Sequence, residues 1–372
     1  MSDHLTRRTR PSASRRRAVA AAAVAAASAA LLAACSSGSS SGSAGNGPAS
    51  ASAGAAAGGG AGYFKGKTIT LIAPDSPGGS YDAYARLFAP YVGQQLGASV
   101  NVQNVSAAGT LQGSNQMAAA KPDGLTIGMV NVGGDIASLV EKQPGQNFSM
   151  DKLSWIGQPA QVPNALVTQP DSSVQSFSGM LHPSGDVTVL DIRNGVGDML
   201  NRVIYGAFGV PHKLDTGFEA TSALKQGFLA KDGQTILEAM STLYPLISGN
   251  EAKPLLVIGP VSLSNYQKVL SGVPTLESEM SSASLSSGKQ AALKEALALS
   301  DLSDDFAGPP GLPASELTAL RQAFTAAAAL PALQAQAAKE SLPLSFISGT
   351  TVSGQVATAL ANSGTIAAYV NQ

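Results

Sequence analysis

Side chains able to do covalent or metal chemistry are scarce in this 372-residue chain, which has one cysteine, three histidines and one tryptophan. A single cysteine excludes an internal disulfide, and so few cysteines and histidines leave no ligand set for structural or catalytic zinc. His182 and His212 each stand beside a proline in loop-like stretches and read as surface residues. Charge is also thin: only 13% of residues are Asp, Glu, Lys or Arg, and the net charge is −1. A nucleic-acid binder presents a clustered basic face, so that class of partner is excluded. The hydrophobic fraction of 44% contains much alanine, a composition that also fits a GC-rich genome. It predicts small-residue helices against a few Val/Ile/Leu strands, with length enough for two domains once a leader is removed.

The leader is legible. Arg7, Arg8, Arg10 and Arg15, Arg16 and Arg17 form a basic segment, residues 18–34 an apolar one, and Leu32-Ala33-Ala34-Cys35 closes it. That close resembles a bacterial lipobox, in which the cysteine becomes the acylated N-terminus. Cys35 is therefore expected to carry lipid, on an exported protein anchored to the outer face of the cell membrane. The alternative is an uncleaved transmembrane anchor, although alanine contributes little apolar free energy compared with leucine. Ser14-Arg15-Arg16 also leaves general or twin-arginine export open. Residues 36–62 are almost wholly Ser, Gly and Ala and predict a disordered tether. Gly38-Ser39-Ser40-Ser41-Gly42 matches a serine-hydrolase elbow but lies in that tether, with no strand or helix around it.

Order is expected from about Lys67. Thr68 to Ala73 reads as a buried strand, and Pro77-Gly78-Gly79-Ser80-Tyr81-Asp82 turns it into a helix. Tyr84, Leu87, Phe88, Tyr91, Val92 and Leu96 form the helix's apolar stripe, and Gly97 ends it. A glycine turn there aims backbone N–H groups, at the positive end of a helix dipole, toward whatever lies in front of them. Taken alone, Gly78-Gly79 reads equally well as a plain strand-to-helix turn with Ser80 as cap and Asp82 complementing the dipole. A second strand spans Val100 to Val105, a second helix follows Ala107-Ala108-Gly109-Thr110, and a third strand spans Leu125 to Val130. Such alternation predicts a right-handed parallel sheet. The rhythm recurs at Val187 to Leu190, the turn Arg193-Asn194-Gly195-Val196-Gly197-Asp198 and a helix from Met199 to Phe208. Leu255 to Ile258 reads as a further strand, Pro274-Thr275-Leu276 as a turn, and the C-terminal third as Ala-rich helix broken at Pro331. Two glycine turns at the carboxyl edges of two sheets predict a cleft, the usual ligand position in open α/β sheets.

Pro-Gly-Gly-x-x-Asp-x-x-Ala-Arg after the first strand, together with the lipobox, resembles the substrate-binding receptors of tripartite tricarboxylate transporters, the Bug-type family. Asn101-Val102-Gln103-Asn104, Ala108-Gly109 and Ala120-Lys121-Pro122-Asp123-Gly124-Leu125-Thr126 continue the resemblance. Val273 to Glu277 and Ala307 to Pro313 follow as landmarks in the same order. The resemblance implies an α/β, two-domain periplasmic-binding-protein-like (type II) fold with a hinged interdomain cleft. Its domains would be 63–165 with 297–372, and 166–296. It implies a monomeric receptor that captures a small carboxylate, a di- or tricarboxylate or an amino acid, and hands it to membrane permease subunits, with no cofactor. The family's ligand loops correspond to Ser76, Gly78, Gly79, Ser80 and Asp82, to Ala108, Gly109 and Thr110, and to Asn194, Gly195 and Gly197. The chain departs from the family at Ala107-Ala108-Gly109-Thr110, where a glycine pair is favoured, at Asp198, where serine is usual, and at Leu214 to Phe218. Arg193 offers a carboxylate fork or a solvated surface charge. Two rival readings stay open: a sensing lipoprotein feeding a signalling receptor, and an exported hydrolase built on a pair such as Asp82 and Asp198.

Overall fold

The computed structural model describes residues 60–107, 110–302 and 304–371. The leader, Cys35, most of the tether, Ala108 and Gly109 lie outside the described residues.

Eleven strands are found among the described residues. In chain order the first four are β1 (Thr68–Ala73), β2 (Ser99–Asn104), β3 (Thr126–Val130) and β4 (Ser154–Gln158). Next come β5 (Asn164–Thr168), β6 (Val187–Ile192), β7 (His212–Phe218), β8 (Thr235–Ala239) and β9 (Lys253–Ile258), then β10 (Asp305–Gly308) and β11 (Ile347–Ser348). They form two sheets, ordered β11-β4-β10-β3-β1-β2 and β7-β6-β8-β5-β9. β1 pairs in parallel with β2 and β3, as the strand-helix-strand alternation predicts. β10 then enters antiparallel between β3 and β4, making the first sheet mixed. In the second sheet β6 runs parallel to β7 and β8, and β5 antiparallel to β8 and β9. The chain passes from the first sheet to the second between β4 and β5, and returns after β9.

The helix Ser80–Leu96 buries Tyr84, Leu87, Phe88, Val92 and Leu96, and Gly97 ends it at φ 61°. Phe88 meets Phe306 of β10 and Phe324 of the helix Ala314–Ala328, with centroids 5.2 and 5.7 Å away; Phe306 and Phe324 are 4.7 Å apart. Tyr84 donates its hydroxyl to the Pro343 carbonyl at 2.7 Å. These contacts pack the middle of the helix against β10 and the helix Ala314–Ala328. A separate apolar core covers one side of the second sheet, around Val167, Ile236 and Leu243. A third joins the sheets: Ile72 and Val130 of the first and Leu166 and Leu237 of the second share it with the helices Val132–Val140, Val196–Phe208 and Ser287–Ser300.

Two local readings change. Thr275 does not sit in a plain turn: it caps the helix Leu276–Ser282, exchanging hydrogen bonds with Ser278 in a capping box. The helix expected from Met199 begins at Val196, because Gly195 takes the extended N-cap conformation and lets the helix start one turn earlier. Truncating the shared aromatic contact is expected to be costly: Phe306→Ala should lose about 3–5 kcal/mol of stability, measured by chemical denaturation.

Candidate functional site

β1 ends at Ala73, and Pro74 and Asp75 lead into the first glycine turn. Gly78 takes φ 87°, a conformation that side chains with a Cβ rarely adopt. Its N–H donates to Asp82 Oδ2 at 2.9 Å. Asp82 Oδ1 accepts from Arg86 Nε at 2.8 Å and from Asn104 Nδ2 at 2.9 Å, and Asn104 also donates to the Asp75 carbonyl at 3.0 Å. Partial burial pushes Asp82 upward, but the bonds from Arg86, the Gly78 N–H and Asn104 outweigh it and hold the carboxyl below its ordinary range. Asp82 therefore braces the turn.

The space in front of the turn is already partly filled by Asp75. Its Oδ1 accepts from the Ser76 N–H at 2.6 Å and from the Ser76 hydroxyl at 3.3 Å. A Cβ added at Gly79 would lie 1.6 Å from Asp75 Oδ2, so glycine is required for the carboxylate to settle there. The same Oδ2 accepts from Thr221 Oγ1 at 3.1 Å. Thr221 opens the helix Thr221–Ala230, which has no side-chain cap of its own, and Asp75 reaches its N-terminus from the first sheet. Beside it, Asn131 accepts from the Gly134 N–H and donates to the Asn194 carbonyl, at 3.1 and 3.3 Å. The two sheets' loops thus touch through Asp75–Thr221 and Asn131–Asn194.

The second turn repeats the first. Asp75-x-x-Gly78-Gly79-x-x-Asp82-x-x-x-Arg86 is matched by Asp191-x-x-Asn194-Gly195-x-x-Asp198-x-x-x-Arg202. Asn194 has φ 65° where Gly78 has 87°. Asp198 accepts from the Asn194 N–H at 3.3 Å and from Arg202 Nε at 2.7 Å, and Asp191 accepts from the Ile192 N–H at 2.7 Å. A Cβ at Gly197 would lie 2.7 Å from the Leu237 carbonyl and 3.0 Å from Asp191 Oδ1. Each sheet therefore offers a helix N-terminus with one aspartate folded over the turn and another locked to an arginine.

Between the turns lies a cavity of about 50 Å³, measured as the space open to the centre of a water molecule. Ser80, Tyr81 and Thr110 line it from one side and Gly195, Val196, Gly197 and Thr221 from the other. Asp75, Asp191, Glu238 and Asp304 line it too.

A family model described as "Tripartite tricarboxylate transporter family receptor" matches residues 84–186. A UPF0065 protein of Bordetella pertussis is 25% identical over 283 residues, 72% of this chain and 79% of that protein. Over residues 84–186 the chain is similar to tripartite tricarboxylate transporter family receptors. The chain superposes on the periplasmic binding protein BugD with a TM-score of 0.65 at 17% identity, covering 80% of this chain and 95% of that one. On MatC from Rhodopseudomonas palustris, solved with bound malate, the TM-score is 0.66 at 16% identity, covering 81% and 99%. This is the two-lobed fold of periplasmic binding proteins of type II.

Of the residues expected at the site, Ser80, Thr110, Gly195 and Gly197 meet at the cavity, whereas Ser76, Gly78, Gly79, Asp82 and Asn194 shape the turns around it. Arg193 is exposed and does not line the cavity. Asp198 is engaged by Arg202 rather than paired with Asp82. Sequence reasoning missed Asp75, Asp191, Glu238 and Asp304. Overlaying the two turns would have found the first two, since each lies four residues before the turn's capping glycine. Glu238 at the end of β8 and Asp304 before β10 have no local signal.

The cavity lining contains no Lys, Arg or His. Burial pushes Asp304 up to about 7, against a hydrogen bond from Ser80 and with repulsion from Asp75. It pushes Glu238 up to about 8, with repulsion from Asp75 and partial relief from Lys225. Glu238 is part-buried and lines the cavity. Asp135, behind Thr110, is wholly buried and also raised well above the usual range. Groups raised on folding bind more protons in the folded chain, so their contribution falls as pH rises from the unfolded value near 4 through 7 to 8. Asp82, whose value is lowered, changes only below that window. The ligand-free protein should therefore melt several degrees lower at pH 8.5 than at pH 5.5, by differential scanning fluorimetry.

Proposed function

We infer that this receptor captures a small carboxylate-bearing solute between its two α/β lobes and delivers it to membrane permease subunits. The observation that carries this reading is the convergence of two long helices, Ser80–Leu96 and Val196–Phe208, whose N-termini meet one cavity from different sheets. The N–H groups of a first helical turn have no partner within the helix, and the dipole makes that end a seat for an anionic oxygen. Ser80 and Thr110 add hydroxyls from the first lobe. The malate held by MatC, a protein of the same fold, supports a ligand of this class. The lobes of this reading are 63–165 with 297–372, and 166–296, closing over the solute as a monomer. Neutral N–H donors hold an anion without the desolvation cost of a buried ion pair, which suits a cargo that must later be released.

The carboxylate reading is tested by titrating the full-length protein calorimetrically with malate, succinate, citrate and amino acids. At least one should bind, and a ligand at a hundred times its dissociation constant should add about 2.7 kcal/mol of stability. Gly79→Val, which expels Asp75 from its seat over the turn, should lose that binding by more than tenfold while the far-ultraviolet circular dichroism stays unchanged. Binding confined to solutes without a carboxyl group would refute the reading. Lipid attachment at Cys35 belongs to the same proposal. Cys35→Ser should move the protein from the membrane fraction to the soluble one, and retention in the membrane would assign the apolar leader as an uncleaved anchor.

A further inference from the structure

Four carboxyl groups line a cavity that contains no basic side chain, which is an unexpected lining for a site that takes a simple dianion. Their circumstances differ. Asp191 is held by the Ile192 N–H and by Asn201. Asp75 is held by Ser76 and Thr221. Asp304 is 1% exposed; its Oδ1 accepts from Ser80 Oγ at 3.0 Å, and its Oδ2 has no hydrogen-bond partner. Glu238 faces the same cavity from the end of β8. A buried carboxylate oxygen without a donor costs several kcal/mol unless something positive meets it. Arg86 and Arg202 are bonded to Asp82 and Asp198, and Lys225, although its charge acts on Glu238, does not line the cavity.

We propose that the solute carries a cationic nitrogen, an alkyl ammonium group, which seats against Asp304 and Glu238 with Asp75 as the third negative wall. This deepens the carboxylate reading, from which it takes the site. The helix N-termini hold the solute's anionic end, and the acidic wall holds its cationic end. An ammonium group supplies three N–H donors, matching the open Asp304 oxygen and the Glu238 carboxylate together. An inorganic cation is the poorer occupant, because no group of three or more Asp, Glu, His or Cys residues is spaced to hold a metal ion among the described residues. The proposal also gives the raised carboxyls a role: an arriving cation removes the mutual repulsion that Asp75, Asp304 and Glu238 exert in the empty cavity.

The test is a charge series at fixed length, applied to the full-length protein at pH 8 by calorimetry: succinate, 4-aminobutyrate and 1,4-diaminobutane, with glycine and arginine as further amines and calcium and magnesium chloride as controls. At least one amine should bind more than tenfold tighter than succinate. Binding of 1,4-diaminobutane alone supports the cation and refutes the carboxylate reading, whereas binding of an amino acid supports both. Binding of succinate as tight as any amine overturns the cation proposal and leaves the carboxylate reading standing. A response to metal alone, or to none of the amines, also overturns it. Asp304→Asn supplies an independent readout. It keeps the shape of the side chain and removes its charge, so amine affinity should fall at least tenfold while the ligand-free melting temperature at pH 8 rises. A variant that lowers both, or leaves amine affinity unchanged, contradicts the assignment.

Discussion

A carboxylate inside a protein must be capped, paired or neutralised, and the design of this cleft follows from how five aspartates solve that problem. Asp82 and Asp198 are paired to arginines one helical turn away. Asp75 is capped by Ser76 and by a helix of the other lobe. Asp191 is capped by its own neighbouring N–H and by Asn201. Asp304 is half-satisfied, with one oxygen on Ser80 and the other on nothing. The first four shape the turns and bring the lobes together. The fifth is left for whatever enters.

This division explains why glycine sits where it does. Gly79 gives up its side chain so that Asp75 can lie against the turn, and Gly197 does the same beside Asp191 and the Leu237 carbonyl. The backbone N–H groups that a glycine turn offers are therefore shared between the protein's own acids and any ligand. Gly78 spends its N–H on Asp82. What remains for an anion is the first turn of each helix rather than the whole loop.

Much of the first lobe was legible in the sequence, because its elements are short, strongly patterned and punctuated. β1 from Thr68 to Ala73, the helix stripe from Tyr84 to Leu96, the stop at Gly97 and Pro331 at the start of the helix Pro331–Lys339 all rest on local rules of period and capping. The insertion of β10 between β3 and β4 was not legible, since nothing in Asp305–Gly308 marks a central antiparallel strand. The same reason hid half of the cavity. Ser80, Thr110, Gly195 and Gly197 lie in turns that announce themselves, whereas Asn131, Glu238 and Asp304 become neighbours only when distant strands pair. The matched aspartates, four residues before each capping glycine, were visible in principle but only by comparing one half of the chain with the other.

The place of β10 also has a consequence for how this molecule is made. The first sheet begins at residue 68, yet the strand between β3 and β4 arrives at residue 305, after the entire second sheet. A chain that emerges N-terminus first therefore holds β3 and β4 with open edges while more than half of its folded length is still to come. Such non-local pairing is slow, and unpaired edges invite association with other chains. Phe306 and Asp304 arrive together at that step, one completing the aromatic core and the other the acidic wall. The nascent chain thus lacks both the aromatic centre of its first core and one wall of the cavity until its last central strand is in place.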